Sequence, residues 1–133
     1  MFTVTSPASP VYNCIAWAAE DATRWWWPDA FGLYYWPDQA PRTETLDAFT
    51  AVFRVLGYEI CEDSRPERGF EKVAIYVDGR GRPTHASRQL DNENWTSKLG
   101  QEVDIEHDGL NEFPAACAYG VVARIVRRPK LQT

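Results

Sequence analysis

The chain has few of the residues that would make its chemistry plain. It holds three cysteines, Cys14, Cys61 and Cys117, and two histidines, His85 and His107. An odd cysteine count with no CxxC pair excludes a disulfide framework and a cysteine-rich metal site, and it fits a reducing compartment. No run approaches the roughly 20 apolar residues that span a bilayer. The opening "MFTVTSPASP" lacks the basic start and apolar core of a signal peptide. The expected location is therefore cytoplasmic, unless a specialised secretion system exports the protein. Positive charge is also short: 14 Lys and Arg against 19 Asp and Glu leave −5. That balance argues against nucleic acid or an anionic membrane as partner. No Gly-rich phosphate loop, HExxH or EF-hand pattern occurs, so no metal and no cofactor is expected.

What is there is aromatic and apolar. Hydrophobic residues make up 44% of 133 positions, with six each of Trp, Tyr and Phe. That suffices for one domain, 1–133, with its own core. Residues 24–41, "RWWWPDAFGLYYWPDQAP", carry Trp25, Trp26, Trp27, Tyr34, Tyr35 and Trp36. Pro28, Pro37, Pro41 and Gly32 forbid a long helix there, so the segment reads as an aromatic insertion loop. It has three readings: a lid packed on the core, a wall of a substrate groove, or an aromatic hot spot for a partner protein.

Residues 1–11, with Pro7 and Pro10, read as an extended lead-in. "NCIAWAAEDA" follows with helical spacing of Ile15, Ala18 and Ala19, which puts Cys14 in a first turn. "TETLDAFTAVFRVLG" is a second helix, with Leu46, Phe49, Phe53 and Leu56 on one face, a threonine cap and Gly57 as its stop. "YEIC" reads as a short strand. "KVAIYVD", "THASRQL" and "WTSKLG" form an antiparallel meander joined by polar turns, and "AYGVVARIVRRP" is a final strand. "QEVDIEHDGLNEFPAA" has no clear period and reads as a loop with a helical turn. The basic run Arg124, Arg127, Arg128 and Lys130 reads as a solvated strand end. Arg88, Lys98 and Asp78 read as strand and turn charges, with Arg88 and Lys98 placed to meet an acidic ligand group.

A thiol gains nucleophilicity from a helix N-terminus and a nearby imidazolium. Cys14 meets the first condition, and the free amides of the same turn suit an oxyanion. His85 opens a strand and is better held than His107, which reads as structural or exposed. A polar residue on the next strand would orient the imidazole, with Ser97, Asn94 and Asp104 as candidates. Cys61 and Cys117 read as small buried hydrophobes.

"YNCIAWA", followed much later by "VAIYVDGRGRPTHASRQL", resembles the papain-like cysteine hydrolases, including NlpC-type peptidases and amidases. The fuller string "PTHASRQL…WTSKLG…DIEH…YG…RRP" also resembles a small bacterial domain family of undefined activity. Two positions depart from the pattern: no glutamine precedes Cys14, and Lys72 stands where an NlpC-type histidine would precede "VAIYV". The resemblance implies an α+β, papain-like fold, with N-terminal helices on a small antiparallel sheet of about four to five strands. It implies catalysis by Cys14, His85 and Ser97, an oxyanion site that includes Asn13, and substrate contacts from Trp25, Trp26, Trp27, Tyr35 and Trp36. The expected activity is hydrolysis of an amide, isopeptide or thioester bond through an acyl-thioenzyme. The alternative is a non-catalytic protein-binding module, in a bacterial toxin, immunity or defence setting, that uses the tryptophan loop. The expected partners are thus a peptide or amide substrate, or a protein.

Overall fold

A computed structural model describes residues 2–6, 11–98, 104–107 and 120–130. Its elements run β1 (Phe2–Ser6), α1 (Cys14–Ala18), α2 (Leu46–Val55), β2 (Glu59–Cys61), β3 (Phe70–Val77), β4 (Pro83–Gln89), β5 (Trp95–Lys98), β6 (Asp104–His107) and β7 (Val121–Pro129). The strands form one sheet in the order β1-β6-β5-β4-β3-β7-β2. Every pairing is antiparallel.

This sheet corrects the expected α+β papain-like layout. Among the described residues seven strands replace about four to five, and the two helices are only 5 and 10 residues long. Two strands escaped the sequence reading. The extended lead-in contains β1, and the segment read as a loop contains β6, to which β1 pairs. Cys117 and Tyr119 lie outside the described residues.

α2 forms as its sequence dictates. The Thr45 hydroxyl accepts the Ala48 amide at 3.2 Å, capping the first turn. Phe49 and Phe53 are fully buried, and each contributes about 1.5–3 kcal/mol through that burial. The helix ends on Gly57 at φ 98°, with Gly57 N–H bonded to Arg54 O and Tyr58 N–H to Phe53 O. This double bond with a left-handed residue at its corner is the Schellman arrangement.

Strand alternation assigns the two faces of the sheet. Val73, Ile75, Ala86 and Val126 share a core with Cys14, Ile15, Phe49 and Phe53, which defines the helix face. Ala74, Tyr76, Trp95, Ile105 and Ile125 form a second core on the far face. Paired residues of neighbouring strands share a face. Ile75 opposite Ala86 therefore belongs to the helix face, and Tyr76 opposite His85 to the far face.

The C-terminal basic run is not a solvated end. Arg124 bonds Asp47 and Thr50 of α2, and the Arg127 and Arg128 side chains are only 30% and 18% exposed, both paired to glutamates.

Candidate functional site

Cys14 occupies the first position of α1 and is buried. Its Sγ donates to the Thr84 carbonyl oxygen at 4.0 Å, against the backbone of β4. Burial pushes the thiol up from 9.0 to about 11, outweighing backbone amides and the Lys98 charge, which favour the thiolate. Lys98 is fully buried, and its Nζ lies 5.2 Å from the centre of the Tyr12 ring. Trp17 of α1 donates from Nε1 to Thr96 Oγ1 at 2.8 Å, so Thr96 and, two residues on, Lys98 belong to the helix face. Around Cys14 the chain thus gathers an ammonium rather than an imidazole. Sequence reasoning left Lys98 as an ordinary strand charge. Its place two residues after Thr96 on a short strand was the available signal.

His85 projects from the other side of β4. Its Nε2 is 3.0 Å from Ser97 Oγ, and Ser97 Oγ is 2.8 Å from His107 Nε2 and 2.7 Å from Ser87 Oγ. Ser87 Oγ continues to the Tyr76 hydroxyl at 3.5 Å. Four adjacent strands therefore contribute to one buried polar chain. Ser97 has one proton and two lone pairs for three neighbours, so at least one imidazole carries its proton on Nε2. Burial lowers the His85 pKa to about 3, and the neighbouring His107 acts in the same direction. His107, read from sequence as structural or exposed, is buried and as much a member of this network as His85.

The expected constellation is therefore divided. His85 and Ser97 meet, whereas Cys14 and His85 stand on opposite faces of the sheet. Asn94 turns to Glu106, to which its Nδ2 donates at 2.7 Å, and is not a partner of His85. Asp104 pairs by its backbone with Lys98 across β5 and β6.

Asn13 is the cap of α1, and its side chain makes three hydrogen bonds. Oδ1 accepts from Ala16 N at 3.1 Å and Trp26 N at 3.2 Å, while Nδ2 donates to Trp26 O at 2.7 Å. The amide expected to help an oxyanion site instead clamps the aromatic loop to the helix start.

That loop is split between anchors and a tip. Trp26 and Trp36 are buried, and Trp27 and Trp36 meet Phe49 edge to face at 5.3 and 5.0 Å. Tyr35 packs on Trp26 at 4.8 Å, and Trp25 on Tyr34 at 6.1 Å. Four of the five aromatic residues expected to touch substrate thus help build the core: Trp26 and Trp36 lie in it, and Trp27 and Tyr35 pack against it. The tip is different: Phe31 is 87% exposed and Leu33 77%. Asp29 holds it by accepting the amides of Leu33 and Tyr34, and Arg42 donates to Asp29 and to Tyr34 O. The Leu33 and Tyr34 amides, with Arg42 beside them, hold the Asp29 carboxyl below its ordinary pKa.

Clefts of about 430 and 440 Å³ lie elsewhere on the surface, the first near Arg68 and Lys130, the second beside Cys61. Cys61 is half-buried on an edge strand rather than deep in a core. Among the described residues no three His, Cys, Asp or Glu side chains are grouped to hold a metal. Among the same residues no helix is long and apolar enough to cross a membrane.

A family described as a domain of unknown function, DUF7689, matches residues 3–127, and the chain belongs to it. No curated protein and no solved structure matches the chain.

Proposed function

We propose that this member of DUF7689 is a protein-binding module that docks a partner through the tip of its aromatic loop. The observation that carries this reading is the pair Phe31 and Leu33, held almost fully in water by a stapled loop. A flexible loop would fold such side chains back onto the body. Here the Asp29–Arg42 staple keeps them out, so little ordering entropy remains to be lost on docking. Aromatic and apolar residues presented this way suit the centre of a protein interface.

The hydrolase reading finds less support. A thiol attack needs its base within hydrogen-bond reach, and the sheet stands between Cys14 and His85.

The test is site-specific photocrosslinking from position 33 in the source cell, with position 93 as control, followed by binding of the purified crosslinked partner. A partner captured at 33 and not at 93, with affinity at least tenfold weaker for Phe31→Ser/Leu33→Ser, is the expected result. Unchanged affinity of the double variant would overturn the reading.

A further inference from the structure

α1 ends as α2 does, but with a different residue at the corner. Glu20 N–H bonds Trp17 O at 3.0 Å and Asp21 N–H bonds Ala16 O at 2.8 Å, the same double closure that Gly57 and Tyr58 make. Glu20 sits at φ 64° where α2 uses Gly57. A left-handed glutamate is strained, and Glu20 carries a side chain where the turn prefers none.

What that side chain meets is a cluster of donors on the helix face. Glu20 Oε2 lies 2.6 Å from Arg128 Nη2, and Oε1 lies 3.6 Å from Arg88 Nη1. Arg128 also donates to Leu56 O at 2.8 Å, pairs with Glu71, and stacks its guanidinium 4.5 Å over the Tyr58 ring. Arg128 therefore ties together the C-terminal ends of both helices.

Two donors in this cluster stay unused among the described residues. Tyr58 is 3% exposed, and its buried hydroxyl has no hydrogen-bond partner there. The Arg88 side chain is 16% exposed, its Nε likewise has no partner, and its one ion pair is longer than a hydrogen bond. Arg128 stacks on the Tyr58 ring and shares the Glu20 carboxylate with Arg88, so the phenol belongs to the same cluster. The Arg88 Nε–H and the Tyr58 hydroxyl both lack an acceptor among the described residues, which is costly unless an acceptor arrives.

We propose that Arg88, Arg128 and the Tyr58 hydroxyl form an oxyanion-binding site, with the Glu20 carboxylate as its resident occupant. Of the two carboxylates, Glu71 is 16% exposed on a central strand, whereas Glu20 is 44% exposed on a turn. Glu20 is the one that can leave. The ligand class is a carboxylate or phosphoryl group, which a guanidinium fork grips through paired N–H donors. The site is independent of the loop tip.

The experiment compares the wild type with Glu20→Gly, which removes the occupant and restores the residue that the turn prefers. Calorimetric titration with sodium acetate and with sodium phosphate, at ionic strength fixed with sodium chloride, is read beside the Arg88 Nε–H resonance. Glu20→Gly should bind one of these anions at least tenfold more tightly than wild type and shift that resonance. Tighter acetate identifies a carboxylate ligand; tighter phosphate identifies a phosphoryl ligand. Glu20→Gly/Arg88→Gln should lose the gain. If Glu20→Gly binds neither anion more tightly, or binds without moving the Arg88 signal, the assignment is overturned.

Discussion

Cys14 and His85 lie on opposite sides of β4, the thiol over the Thr84 carbonyl and the imidazole reaching across to Ser97. The pair therefore cannot share a proton, and the thiol is governed by its burial. With its pKa raised from 9.0 to about 11, the thiolate fraction near pH 8 falls roughly a hundredfold. Mass-spectrometric mapping of iodoacetamide labelling should find Cys14 slower than glutathione by at least that factor, and unaffected by His85→Gln. Faster labelling of Cys14 than of a free thiol would sink this account and revive the thiol enzyme.

His85 makes stability depend on acid. Its folded pKa is near 3 against an ordinary 6.5, so between those values the unfolded chain binds a proton that the folded chain refuses. The contribution is present above 6.5 and is lost as pH falls toward 3, with a limiting slope of roughly 1.4 kcal/mol per pH unit. Urea unfolding at pH 7, 6 and 5 should show a steeper decline for wild type than for His85→Gln. Parallel slopes would mean that His85 is not held neutral in the fold.

Asn13 joins a helix cap to the aromatic loop, and substitutions can separate the two roles. Asn13→Asp keeps the acceptor for Ala16 and Trp26 but loses the donor to Trp26 O, whereas Asn13→Ala loses all three bonds. Removing the cap alone costs about 1 kcal/mol. Asn13→Ala should therefore cost about 2 kcal/mol or more, and Asn13→Asp should fall between it and wild type, as read from chemical unfolding. Equal losses would show that the loop clamp, not the cap, carries the effect.

Gly120 stands at the entry to β7 with φ 91°, and a Cβ there would lie 2.0 Å from the Val77 carbonyl oxygen. β3 is held on both sides by β4 and β7, so that carbonyl has little room to retreat. Gly120→Ala should destabilise by about 2–4 kcal/mol, since steric conflict adds to left-handed strain. A melting temperature within a degree of wild type would show that β7 begins differently.

Much of the fold was legible where periodicity is strong. Leu46, Phe49, Phe53 and Gly57 announced α2, and "VAIYV" with "THASRQ" announced the hairpin of β3 and β4. β6 was not, because Asp104–His107 carries Ile105 as its one aliphatic residue and gains its strand character from β5 and β1. The hydrogen bond between His85 and Ser97 was within reach of the sequence, which offered Ser97 among three candidates. The side of the sheet was not. Alternation says that His85 and Ala86 part ways, but which of them faces α1 depends on packing against Ile15 and Phe49, far away in the chain. Arg88 and Arg128 looked like surface charges for a related reason: only the helix termini above them turn that surface into an interior.

The pairing of β1 with β6 sets an order of events during synthesis. Phe2 lies opposite His107 and Val4 opposite Ile105, so β1 leaves the ribosome with its ladder partner about a hundred residues behind it. β3, β4 and β5 can close by short turns as they emerge, but β1 has to wait until α1, α2 and the strands from β2 to β6 have been made. Throughout that interval its backbone donors and acceptors are open to water, to a chaperone, or to the same strand of a neighbouring nascent chain.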